Sequence, residues 1–212
     1  MQILKQTLAI PSWTKKKQEP FKTLITTIIS QNTADRNTER AFEALPKRFE
    51  ISPEVLAKAK LSEIETAIKI GGLYKNKAKS IKMAAIAIQK DYRGSLDSIL
   101  SLPLEEARKS LMQFPGVGPK TADVVLLFSA KKPTIPVDTH VNRVSKRLGF
   151  APEKGDYEAV RLSLQSLFDP TDYLAVHLLL IAHGRKTCKA QNPLCRECSL
   201  NIHCPSNGLW DR

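Results

Sequence analysis

The sequence predicts an all-α protein of two helical lobes, with about ten helices in all. Three observations lead there. Apolar residues recur at helical spacing in one segment after another. Two segments, ADVVLLFSA (122–130) and LAVHLLLIA (174–182), are apolar nearly all round, as helices at the centre of a helical protein are. Sustained period-2 alternation between turn signals, the pattern of strands, is absent.

Taken along the chain, Phe21, Leu24, Ile25, Ile28 and Ile29 of FKTLITTIIS form one buried helix face. Ser62 and Glu65 make a capping-box pattern ahead of Ile64, Ala67 and Ile68, and Gly71–Gly72 closes that helix. Ile81, Ala84, Ala85 and Ile88 line the next face, and Val160, Ser163, Leu164, Leu167 and Phe168 a later one. LEEARKSLMQF reads as a helix stopped by Pro115. In KKPTIPVD (131–138), Pro133 and Pro136 forbid helix and favour extended backbone. That segment is the expected crossing between lobes. One lobe is a contiguous six-helix module over 23–132; the other joins 1–22 to 133–212, and a functional cleft is expected between them.

Thirty-three Lys and Arg against 21 Asp and Glu give a formal net charge of +12. Such a balance points to a polyanionic partner, of which nucleic acid is the commonest. No apolar run approaches membrane-spanning length, so no membrane partner is expected. MQILKQTLAIPSWTKKK lacks the apolar stretch and cleavage pattern of a secretory signal, so a cytoplasmic, nucleoid-associated protein is expected.

The four cysteines, Cys188, Cys195, Cys198 and Cys204, fall in one loop with the spacing C-x6-C-x2-C-x5-C. A disulfide framework would spread them through a small secreted domain, whereas a tight cluster favours a metal or iron–sulfur site. The spacing alone leaves structural zinc and an iron–sulfur cluster both open. With four protein ligands no coordination position remains open, which favours a structural role. Arg185, Lys186, Lys189 and Arg196 surround the loop and suit phosphate contact.

FPGVGPKTADVV (114–125) breaks two helical segments. Gly116 and Gly118 permit positive φ and close backbone approach, and Pro119 suits the first turn of the next helix. The amide groups at that helix start, with Gly116, Val117 and Gly118 before it, form a candidate phosphate site. Lys120 becomes the second residue of the helix, where the dipole disfavours an ammonium, and is a candidate activated amine of the Schiff-base type. Asp138 can be brought to it. The helix carries the chain roughly 16 Å away at about 1.5 Å per residue, and the eight-residue proline segment can return roughly 26 Å when extended. Asp138 is also a candidate N-cap for THVNRVSKRLG. Of the histidines, His177 reads as a satisfied core residue, and His140 either borders the site or packs at the helix start.

LMQFPGVGPKTADVVL followed by IPVDTHVNRVSKRLG resembles the helix-hairpin-helix and Gly/Pro…Asp core of base-excision DNA glycosylases, and the endonuclease III family in particular. ISQNTAD, GGLYKNKA and the cysteine loop extend the resemblance over nearly the whole chain. It implies a bifunctional DNA glycosylase/AP lyase acting as a monomer on duplex DNA that holds damaged bases, oxidised pyrimidines above all, or abasic sites. It further implies attack by Lys120 at C1′ with Asp138 assisting, then a Schiff base and β-elimination. Such an enzyme must flip its target base out of the stack. By the same resemblance, Gln31 is the candidate plug, Leu73 the candidate wedge and the four cysteines the ligands of a [4Fe–4S] cluster rather than zinc, while Lys189, from the basic surround of the loop and the net charge, is a candidate DNA contact.

Three alternatives stand beside this reading: a mismatch-specific or adenine glycosylase of the same superfamily, a non-catalytic DNA-binding module, and a redox-responsive iron–sulfur protein. Lys120 argues against the first, as does a chain end eight residues after Cys204, which leaves no room for an additional C-terminal domain.

Overall fold

The computed structural model describes residues 1–209, apart from the side chains of Trp13, Lys15 and Asp35. The described residues form twelve α-helices and five short 3₁₀ turns, with no strand among them. The helices beyond the expected ten or so include one-turn elements too short to show a periodic face. The chain divides into two compact units, 17–132 and 1–16 with 133–212, so the crossing falls between Lys132 and Pro133.

The contiguous unit holds α2 (Pro20–Ser30), α3 (Asp35–Ala44), α4 (Pro53–Lys58), α5 (Leu61–Ile68), α6 (Tyr74–Asp91), α7 (Asp97–Ser101), α8 (Leu104–Leu111) and α9 (Pro119–Ala130). It begins at 17 rather than 23 because Gln18 donates its backbone N–H to Phe128 O at 3.1 Å, tying the lead-in of α2 to α9. Pro20 opens α2, and the Glu19 carboxylate accepts the N–H groups of Phe21 (2.9 Å) and Lys22 (2.6 Å). Phe21, Leu24, Ile25, Ile28 and Ile29 are all buried, packing α2 against α9. The start of α5 differs from the expected capping box by two residues. Lys60 is its N-cap, and Glu63, not Glu65, reaches back to accept the Lys60 N–H at 3.3 Å. The helix therefore begins at Leu61, and Ser62 already lies within its first turn.

The hairpin between α8 and α9 is braced from inside. Arg108 Nε lies 3.1 Å from Asp123 Oδ1 and 3.2 Å from Oδ2, with both residues buried. α8 ends at Leu111, before Pro115, because the chain tightens into i→i+3 bonds at Gln113 and Phe114.

The second unit contains α1 (Gln2–Thr7), α10 (Thr139–Arg147), α11 (Tyr157–Leu167) and α12 (Tyr173–Lys186). Val141, Val144, Val160, Leu164, Val176, Leu179 and Leu180 form its core with Leu4 from α1. α12 approaches α10 closely at Gly184, where a Cβ would lie 3.0 Å from His140 Cβ. Leu167, expected on the buried face of α11, is 55% exposed. It is the last helical residue, and Phe168 takes the inward place instead, edge-on to Phe150 at 5.6 Å.

Candidate catalytic and nucleic-acid-binding site

The turn that presents Lys120 is anchored on both sides of its tip. Phe114 and Val117 are buried, Phe114 stands edge-on to Tyr92 at 5.7 Å, and Pro115 and Gly116 between them are exposed. Val117 donates its N–H to Phe114 O at 3.0 Å, closing the turn. Gly116 has φ +80°, and a Cβ there would fall 2.5 Å from Ser80 Oγ of α6. Both conformation and space thus require glycine. Gly118 differs from expectation. Its φ is −95°, and nothing would meet a Cβ, so it serves as the extended N-cap of α9 rather than as a left-handed residue. No side chain caps α9; Pro119 is N1 and the half-buried Lys120 is N2. A helix start of this kind suits a phosphate.

Two further loops of this unit carry the other predicted contacts. Gln31, the C-cap of α2, donates from Nε2 to Gly116 O (2.8 Å) and Thr121 Oγ1 (3.2 Å). The structure thus brings Gln31 to the hairpin. Leu73 is the N-cap of α6, with φ +46° and 59% exposure. An exposed leucine in left-handed backbone is strained, and such strain concentrates at functional loops.

In the second unit, Asp138 is half-buried and caps α10, its Oδ1 accepting the Val141 N–H at 2.7 Å. The strand-like segment before it is pinned twice. His177 Nδ1 donates to Pro136 O at 2.8 Å, and Val137 donates its N–H to the Tyr157 hydroxyl at 3.3 Å. His177 is accordingly a satisfied buried residue. His140 meets Arg143 Nη2 through Nδ1 at 3.2 Å.

Among the described residues, no group of three or more His, Cys, Asp or Glu side chains is drawn together as a metal ion's ligands. The four cysteines are unbridged, half-buried and line one pocket together with Leu148, Pro193, Leu194 and His183. Nitrogen donors point at its sulfurs: Arg147 Nη1 to Cys188 Sγ at 3.5 Å and Leu200 N–H to Cys198 Sγ at 3.4 Å. The buried His183 lies 3.7 Å from Cys198 Sγ through Nε2, and burial holds its pKa below the ordinary value, favouring the neutral ring. Burial also pushes the Cys198 thiol up; the Leu200 N–H opposes this, while Cys188 and Cys204 add to it. A positively charged centre would offset that cost. Four thiols in a largely apolar pocket with N–H donors on the sulfurs fit a group held by four thiolates. Lys189 is exposed, and its carbonyl accepts from Arg147 Nη1 at 2.7 Å.

Sequence reasoning missed Lys77, Arg108 and Asp123. Lys77 shares the apolar face of Ile81, Ala84 and Ile88, and Asp123 sits inside the apolar run of α9. A charge on an apolar stripe demands a buried partner, and that signal was present in both segments.

Comparison with known proteins agrees with this geometry. The family model for the HhH-GPD superfamily base excision DNA repair proteins matches residues 25–170. Endonuclease III of Thermotoga maritima is 38% identical over 195 residues, covering 89% of this chain and 84% of that protein. Endonuclease III of Sulfolobus acidocaldarius is 37% identical over 190 residues, with 89% and 83% covered. A solved structure of a trapped endonuclease III–DNA covalent intermediate, an estranged-adenine complex, superposes with a TM-score of 0.82 at 33% identity, covering 93% of this chain and 88% of that one. The chain therefore belongs to the HhH-GPD superfamily of base-excision DNA repair proteins, within its endonuclease III family.

Proposed function

We propose that this protein is a bifunctional DNA glycosylase/AP lyase that removes damaged bases, oxidised pyrimidines in particular, from duplex DNA as a monomer. The observation that carries this is the placement of Lys120 as the second residue of α9, directly behind a glycine-tipped turn with no side-chain cap. The hairpin's backbone, from Gly116 to Gly118, holds a phosphate beside the target nucleotide. The Lys120 amine attacks C1′; the C1′–N bond to the lysine forms as the glycosidic bond breaks, and the base leaves with a proton. Opening of the sugar ring gives a protonated imine. Loss of a C2′ proton then expels the 3′ phosphate and nicks the strand, and water releases the lysine.

Asp138 stabilises the positive charge that develops at C1′ and accepts a proton from the attacking amine. Its Oδ1 is committed to Val141, which leaves Oδ2 for this work. Gln31 plugs the gap left by the flipped nucleotide, and Leu73 wedges the opposite strand. Lys189 and its basic neighbours contact phosphates outside the lesion. Cys188, Cys195, Cys198 and Cys204 hold a [4Fe–4S] cluster, which when bound cross-links the loop that positions those cations. The support lies in the donor set and in the apolar pocket. No helix among the described residues is long and apolar enough to cross a membrane; action in the cytoplasm on nucleoid DNA is part of the same reading.

The test is a panel of duplexes carrying thymine glycol, uracil, mismatched thymine or an abasic site, each with and without borohydride. Base release, strand nicking and a borohydride-stable complex on the oxidised pyrimidine and abasic duplexes are expected. Salt-sensitive binding without cleavage of any of them would overturn the assignment.

A further inference from the structure

Lys77 is 4% exposed on the inner face of α6, an unusual place for an ionisable amine. Its Nζ donates to Ile29 O at 2.7 Å, to Gly71 O at 2.8 Å and to Thr33 Oγ1, whose own hydrogen goes to Gly71 O. Three donors on one ammonium thus meet acceptors from the end of α2 and the loop after it on one side, and from Gly71 ahead of α6 on the other. Ile29 and Thr33 flank Gln31; Gly71 precedes Gly72 and Leu73. Both loops contain left-handed residues, Asn32 at φ +50°, Gly72 at +62° and Leu73 at +46°. Conformations of that kind persist only where surrounding contacts enforce them. Burial lowers the pKa of Lys77, and its acceptors favour the ammonium that donates to all three.

We propose that Lys77 is a positioning residue that locks the Gln31 loop to the Leu73 loop, so that both enter the DNA as one rigid unit. Gln31 is in turn bonded to Gly116 O, so the hairpin that grips the phosphate belongs to the same network. Insertion on one strand is then coupled to insertion on the other, and neither loop need be ordered at the moment of base flipping. The inference rests on the assignment of Gln31 and Leu73 as plug and wedge.

The experiment compares an abasic site in a duplex with the same site in a single strand, which has no stack to open. Borohydride trapping rates are measured on both, and 2-aminopurine placed opposite the site in the duplex reports insertion independently of the chemistry. Lys77→Met removes all three donors from buried acceptors; Thr33→Val removes the bridging hydroxyl at conserved volume and stands in if the first variant fails to fold. Each should lower the duplex-to-single-strand ratio of trapping rates about tenfold and blunt the fluorescence change, as expected for a buried acceptor left unpaired. Gln31→Ala and Leu73→Ala should do the same. If those two lower the ratio while Lys77→Met and Thr33→Val do not, the coupling role is wrong and the plug and wedge stand. If Lys77→Met slows both substrates equally, Lys77 is structural only and the inference falls. If Gln31→Ala and Leu73→Ala leave both ratio and fluorescence unchanged, the plug and wedge assignment fails and takes the coupling role with it.

Discussion

α9 and α10 start in opposite ways. α9 begins at an extended glycine with no side-chain cap, and its second residue is a lysine. α10 begins at Asp138, whose own carboxylate closes the first turn through Val141. An uncapped helix start leaves its positive end available to an anion from outside, while a capped start spends that attraction internally and fixes the capping carboxylate in orientation. The difference teaches that the two proposed catalytic residues are held by different physics. Lys120 depends on the turn before it and on the brace behind it; Asp138 depends on its own cap and on the pinned segment that precedes it.

The sharpest contrast comes from Lys120→Gln. It removes the amine and no cap, so trapping on abasic DNA should vanish while the protein still folds and binds the abasic duplex. Next in size is Asp123→Asn, which removes the buried carboxylate from Arg108 and leaves its guanidinium to the exposed Glu105, 3.7 Å from Nη1. Loss of about 3–5 kcal/mol in denaturant unfolding is expected from breaking a buried pair on one side. A loss under about 1 kcal/mol, the level of an exposed pair, would show that α9 is not braced through α8.

How much of this contrast was readable in the chain differs between the two starts. The proline at N1, the lysine at N2 and the aspartate cap all follow from local residue chemistry, and the structure has each of them. The apolar faces of α2 and α6 were equally plain. The two glycines of the turn look alike in sequence, although only Gly116 faces Ser80 and adopts positive φ. The shift from Glu65 to Glu63 at α5 has a similar cause. Both registers bury Ile64 and Ile68, so the apolar face does not tell them apart, and only the Lys60 N–H to Glu63 bond does. Leu167 points outward because it is the last residue of α11 and Phe168 turns inward after it. The Lys77 network is out of reach in detail, since two of its three acceptors, Ile29 O and Gly71 O, are backbone carbonyls, which leave no side-chain signature.

Gly116→Ala tests the turn ahead of α9 alone. Positive φ and the approach to Ser80 should together cost about 1–3 kcal/mol of stability and weaken DNA binding, while Gly118→Ala, at an extended φ with open space around it, should change stability by less than about 0.5 kcal/mol. Equal effects at the two glycines would contradict the geometry of the turn. The smallest effect separates the cap of α10 from its charge. Asp138→Asn retains a capping oxygen and should unfold like the parent, whereas Asp138→Ala should lose about 1 kcal/mol. Both should excise bases far more slowly. Equal stability of the two variants would mean that the Val141 bond contributes nothing.

The most direct measurement is the mapping of the covalent adduct. The protein is trapped with borohydride on an abasic duplex, digested with protease and nuclease, and the modified peptide is read by mass spectrometry. The sugar remnant should sit on Lys120, in the peptide that begins α9. An adduct on the N-terminal amine or on any of the other lysines would contradict the assignment of the uncapped helix start as the site of the nucleophile.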